Sequence, residues 1–148
     1  MISFSKEDIL KNEEFLKLFI SKVLPEHRLE CELWDFKKTI SAWCNMKVPE
    51  LQSNFASDVA SFANSKGGLL VIGINDNREI IGVDNSEKRI QDSRAIIEKY
   101  IEEKIGSVEF LNLPMRDSGG KNVNCVIVLI PQTKQVIEVI SISFYKPV

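Results

Sequence analysis

The stretch that most constrains the fold is residues 49–74. A helical pattern there runs into two glycines and then, with no linker, into Leu69-Leu70-Val71-Ile72-Gly73-Ile74, which is apolar without alternation. Such a run reads as a buried strand. Pro49 suits the first helical turn, where its missing N–H loses no hydrogen bond. Leu51, Phe55, Val59 and Phe62 fall on one stripe of that helix. Gly67 is placed to adopt the left-handed conformation that ends it. A helix delivered straight onto a buried strand calls for a sheet with helices packed on it.

The flanking sequence supplies further elements. Residues 6–23 have helical period in Ile9, Phe15, Leu16, Phe19 and Val23, with Ser5 as a cap and Pro25 as the stop. Residues 29–40 read as a strand in which Trp34 and Phe36 face one side and Leu33, Asp35 and Lys37 the other. Asn75-Asp76-Asn77 is turn chemistry, so residues 79–83 are expected to return as the second strand of a hairpin. A helix is expected from Asp84, with Glu87 completing a capping box and Ile90, Ile97, Ile101 and Ile105 as its buried stripe up to Gly106. Strands follow at 108–113 and 123–130 around a turn at 117–121, and a last strand or pair of strands at 136–145. The expected fold class is α+β: a mixed β-sheet with two packed helices plus an extra N-terminal helix.

Bulk properties exclude several classes. The chain has 148 residues, 44% of them hydrophobic and 27% charged, which suits one globular domain. Its longest apolar run, residues 126–130, is far too short to cross a bilayer. The first residues are polar and then amphipathic, unlike a signal peptide, so a cytoplasmic location without a membrane partner is expected. Three cysteines, Cys31, Cys44 and Cys125, fit neither a disulfide framework nor a zinc site, and one histidine, His27, leaves little for a catalytic triad. The net charge of −2 leaves nucleic-acid binding to a local patch or a metal.

The residues that could carry chemistry are mostly acids. Glu30, Asp35 and Asp76, with Glu32 beside them, could hold a hard cation through oxygen if they meet in space, or could be solvated surface acids. Residues five apart on a regular strand face opposite sides, so Glu30 and Asp35 share a site only across a bend. Lys37, Lys38 and Lys66, with Lys47, could contact phosphates or remain solvated. Trp34 alternates with Phe36 and reads as core, whereas Trp43 reads equally as core or as a base-stacking platform. Gly67-Gly68 is not a phosphate loop, because the order is helix then strand and no Lys-Ser/Thr follows.

Two blocks together resemble a known family. Glu30-Cys31-Glu32-Leu33-Trp34-Asp35-Phe36-Lys37 is similar to the E-x-E-x-x-E-F-K opening of the Schlafen-type AlbA-like domain. Phe62-Ala63-Asn64-Ser65-Lys66-Gly67-Gly68-Leu69-Leu70-Val71-Ile72-Gly73-Ile74 resembles its A-F-A-N-x-x-G-G-x-L-x-I-G-V block, and Asn75-Asp76-Asn77 through Ile81-Gly82-Val83 resembles its D-D-x-G-x-I-x-G hairpin. The resemblance divides the chain into a helical extension, residues 1–28, and the domain proper, residues 29–148. The sequence departs from the pattern with Asp35 where glutamate is usual and Arg78 where glycine is common, and it ends without the family's R-x-G-S element. That ending, still strand-like, suggests a piece of a longer protein.

The resemblance implies a nucleic-acid-binding domain and a bend near Glu30. In vertebrate Schlafens, paired lobes of this kind form a clamp that cleaves transfer or ribosomal RNA with three metal-binding acids. Carried over by motif, those acids fall on Glu30, Asp35 and Asp76, or on Asn75 for the third if the hairpin register slips, and would hold Mg²⁺ or Mn²⁺; Lys37, Lys38 and Lys66 are the expected contacts to the nucleic acid. The implied function is a metal-dependent endoribonuclease acting on structured RNA such as tRNA, RNA being the expected partner ahead of DNA. The alternatives are a non-catalytic DNA- or RNA-binding module and an oligomerisation module of a larger regulator or defence protein, for which a homodimer would mimic the paired lobes. Nucleotide binding is a further alternative, resting on the family's older description alone.

Overall fold

A computed structural model describes residues 34–65, 67–101 and 108–133. The expected helix at 6–23, the strand at 136–145, Glu30, Cys31, Lys66, Ile105 and Gly106 lie outside the described residues.

The central strand is β2, Gly68–Ile72, and β1, Trp34–Lys37, lies parallel to it with Trp34 opposite Leu69 and Lys37 opposite Ile72. Between them the chain forms a short helix α1, Ser41–Cys44, and a long one α2, Pro49–Asn64. A crossover of this kind is what a parallel strand pair requires. On its other side β2 pairs antiparallel with β4, Asn122–Ile130, and β4 pairs antiparallel with β3, Glu109–Arg116. The described sheet therefore has the order β1-β2-β4-β3. Helix α3, Ser86–Tyr100, links β2 to β3. The α+β class and the mixed sheet are as expected.

Core lies on both faces of this sheet, which accounts for the unbroken apolar runs in β2 and β4. Leu70, Ile72, Val126, Val128 and Ile130 meet the helices through Ala42, Trp43, Phe55, Val59, Ile96 and Tyr100. Phe36, Leu69, Val71, Ile127 and Leu129 pack on the opposite face with Ile74, Leu113 and Cys125. Each large apolar side chain so buried contributes about 1.5–3 kcal/mol. Burial pushes the Cys125 thiol up to about 11, against a hydrogen bond with the Gly82 backbone that lowers it, so this sulfur behaves as an apolar group. Cys44 is free and exposed.

Helix α2 begins with Pro49 in its first turn, as its sequence predicts. Its buried face is Gln52, Phe55, Ala56, Val59, Ala60 and Ala63, so Leu51 and Phe62 sit at the margins of the stripe. The alanines let the helix approach the sheet closely. Gly67 ends the helix in the left-handed region, φ +75°, and its N–H donates to the Phe62 carbonyl at 2.8 Å. A Cβ at this position would stand 2.6 Å from the Ile130 oxygen, so the glycine pair serves helix termination and close packing.

Three expectations are corrected. The capping box at Asp84 does not form: α3 has Asn85 as its N-cap, in the left-handed region at φ 53°, with no side-chain cap. The residue three beyond that cap is Lys88, so Glu87 falls one position short of the box and acts only as a first-turn acid. The buried stripe of α3 is Ser86, Ile90, Ser93, Ile96 and Tyr100, with Ile97 at its edge and Ile101 buried just past its end. Ser93 belongs there because its hydroxyl accepts from the Trp43 indole N–H at 3.0 Å and donates to the Arg89 carbonyl at 2.8 Å. That contact also makes Trp43, 4% exposed, a core residue and removes it as a stacking platform. Finally, residues 79–83 do not form a full strand. Ile74 and Ile80 make a single antiparallel bridge, after which Gly73, at φ +115°, accepts at its carbonyl from both Ile81 and Gly82 N–H.

Candidate nucleic-acid interface

Alternation along β1 decides which side chains are available for chemistry. Phe36 turns into the core, while Asp35 and Lys37 take the same side as Leu70 and Ile72, toward the helices. β1 pairs with β2 alone among the described residues, so its charged side chains keep contact with water. The Lys37 ammonium lies 3.4 Å from Asp35 Oδ2 and 3.7 Å from Asp58 Oδ2. Asp58 comes from the middle of α2, and the sequence reading missed it. Two carboxylates thus share one ammonium where β1 meets α2.

The balance at this cluster is visible in Asp58. Burial raises its carboxyl above the usual aspartate value; Lys37 opposes this, and the negative charge of Asp35 adds to the rise. Ion pairs this exposed contribute about 0–1 kcal/mol. The arrangement therefore does little for stability and concentrates negative charge around a seat already favourable to a cation.

The chain next passes the same end of the sheet. The Lys37 carbonyl accepts from the Gly73 and Ile74 N–H groups at 2.8 and 3.1 Å, which starts the turn region beside the end of β1. Asn75 builds that turn: its Oδ1 accepts from Asn77 N–H at 3.0 Å and Glu79 N–H at 2.9 Å, and its Nδ2 donates to Glu79 at 3.1 Å. This leaves Asp76 exposed and without a hydrogen bond or ion pair among the described residues. Arg78, left-handed at φ 63°, has its guanidinium carbon 5.2 Å from the Phe36 ring centre, tying the turn to the opposite face of β1.

The site residues read from sequence are thus distributed unequally. Asp35 and Lys37 are together, Lys38 is exposed one residue further, and Asp76 stands on the neighbouring turn. Glu30 and Lys66 lie outside the described residues. Among the described residues no three His, Cys, Asp or Glu side chains gather as metal donors. The donors that are present are carboxylate oxygens, the kind a hard cation takes.

A mixed sheet with helices on one face and an acid-and-lysine cluster on β1, the outermost strand among the described residues, defines an α+β domain with a charged site beside that strand. Residues 30–146 match the Schlafen, AlbA_2 family, and the chain belongs to that family. Membership points to nucleic-acid binding as the class of function. No curated protein matches the chain. No helix among the described residues is long and apolar enough to cross a membrane.

Proposed function

We propose that this domain binds RNA at the end of the sheet carrying Asp35, Lys37, Lys38 and Asp76, and that with a divalent cation it cuts structured RNA such as tRNA. The observation that carries the reading is the shared seat for positive charge between Asp35 and Asp58, in a chain of the Schlafen AlbA family. Glu30, Asp35 and Asp76 would hold Mg²⁺ or Mn²⁺. Such a cation would supply an activated water and neutralise charge at the phosphodiester.

The chain's own residues have separate parts. Asp76 offers a carboxylate that no described residue engages. Lys37 would exchange a carboxylate for a phosphate oxygen, and exposed Lys38 would hold a neighbouring phosphate as a point charge. With a net charge of −2 the affinity would come from this patch alone, and a second copy of the domain would be needed to enclose a duplex.

The test is incubation of the purified protein with total tRNA in Mn²⁺ or in EDTA, followed on a denaturing gel. Metal-dependent fragments that disappear in Asp76→Asn, with an unchanged circular dichroism spectrum, support the reading. Full cleavage by Asp76→Asn refutes it.

Binding without cleavage is a second reading, favoured by the described residues bringing together no three metal donors. It predicts RNA binding that survives EDTA and collapses with added salt.

A further inference from the structure

Among the described residues with positive φ, Gly67, Gly73, Gly82 and Gly120 have no Cβ, and Asn85 is of a type that tolerates the conformation. Arg78, at φ 63°, is the exception. A long side chain in the left-handed region is strained, and such residues persist where their surroundings hold them, often beside functional groups. The backbone of the turn does not ask for an arginine. Arg78 N–H donates to the Asn75 carbonyl at 2.9 Å, and Asn75 N–H to the Glu79 carbonyl at 3.0 Å. Asn75 Oδ1 accepts from Asn77 and Glu79 N–H. A glycine at 78 would keep all of these bonds without strain. What the arginine adds is its guanidinium on the Phe36 ring, 5.2 Å from the ring centre.

That contact joins the two halves of the charged site. Phe36 is buried on β1 between Asp35 and Lys37, and Asp76 stands exposed two residues before Arg78. The base of the turn is fixed at Gly73, whose N–H donates to the Lys37 carbonyl and whose carbonyl accepts from Ile81 and Gly82 N–H. The tip, residues 75–79, projects beyond this base. A tip fixed at its base can still pivot toward or away from β1. Arg78 on Phe36 adds a second point of attachment, from the tip itself.

We propose that Arg78 is a positioning residue, whose guanidinium on Phe36 holds the turn so that Asp76 keeps a set distance from Asp35 and Lys37. The inference rests on the RNA reading above and adds the residue that sets the geometry of that site. Arg78 acts through Phe36 and touches no reacting atom in this role.

The experiment compares the purified chain with Arg78→Gly, a residue suited to φ 63°, so the melting temperature is expected not to fall. Backbone ¹⁵N relaxation is expected to show the order parameters of the Asp76 and Asn77 amides dropping from about 0.85 to below about 0.6, with β2 and β4 unchanged. With tRNA and Mn²⁺, kcat is expected to fall about tenfold and KM to stay within about twofold, because misplacing a group that acts in the transition state costs rate rather than uniform binding. Phe36→Leu combined with Arg78→Gly should lose no more than the worse of the two alone, as the two ends of one contact do. Unchanged order parameters at Asp76 and Asn77, or a parental kcat, in Arg78→Gly overturn the inference and leave the RNA reading standing. A rise in KM alone, additive with Phe36→Leu, makes Arg78 a direct RNA contact and overturns it too. A parent that cuts no tRNA overturns the cleavage reading and this inference together.

Discussion

Gly67→Ala separates two costs that usually arrive together. The residue is left-handed, φ +75°, and an alanine Cβ would lie 2.6 Å from the Ile130 oxygen and 2.7 Å from the Gln132 nitrogen. Gly120, in the β3–β4 turn, is left-handed too, φ +82°, but a Cβ there meets nothing within 4 Å. The left-handed conformation alone costs alanine about 1–2 kcal/mol. Overpacking against backbone adds about 1–3 kcal/mol. Gly120→Ala should therefore lose about 1 kcal/mol and Gly67→Ala about 2–4 kcal/mol, a large share of the roughly 5–15 kcal/mol that holds a domain folded. Urea denaturation followed by tryptophan fluorescence measures both. With a slope of about 2 kcal/mol/M, the Gly67→Ala midpoint should fall about 0.5–1.5 M below that of Gly120→Ala. Equal midpoints would refute the claim that the α2–β2 junction is crowded by the exit of β4, and with it the account of why two glycines stand there.

Two further outcomes follow from the same contacts. Asp58 has its folded-state carboxyl raised, chiefly by burial, so folding favours its protonated form; the associated cost is absent below its unfolded value and grows as pH rises past it. Asp58→Asn should thus leave stability within about 0.5 kcal/mol of the parent at neutral pH, and any gain should vanish in acid, as thermal unfolding across pH would register. Ser93→Ala leaves the buried Trp43 N–H without its acceptor and should cost about 1–3 kcal/mol, read as a lowered melting temperature with altered tryptophan emission.

What could be read from sequence was what depends on local chemistry. Pro49, the Gly67 stop, the apolar β2 and the Asp117–Lys121 turn each carry their instruction within a few residues, and Asp117 Oδ1 indeed closes its turn on Gly119 and Lys121 N–H. What escaped depends on partners distant in sequence. Ser93 is polar by composition and buried only because Trp43, fifty residues away, supplies its hydrogen bond. Asp58 looks like one more exposed acid of a helix until β1 brings Lys37 beside it. The return strand at 79–83 has suitable residues, but Arg78 and Gly82 both take positive φ and turn the backbone out of pairing register. Asp35 and Lys37 were identified correctly as sharing a strand face, since alternation is intrinsic to extended chain.

Among the described residues β1 has β2 as its one strand neighbour, and this gives the charged cluster a stability separate from that of the domain. Four residues held, among the described residues, by β2 alone carry Asp35, Lys37 and the anchoring Phe36 as alternate teeth of one short segment. Local opening of such a segment requires less free energy than global unfolding. When it opens, both charges and the anchor leave together, while β2, β4 and β3 retain their pairing with one another. The domain can therefore exist folded yet without its cluster, and an RNA that engages Asp35 and Lys37 would draw molecules from that population into the assembled one.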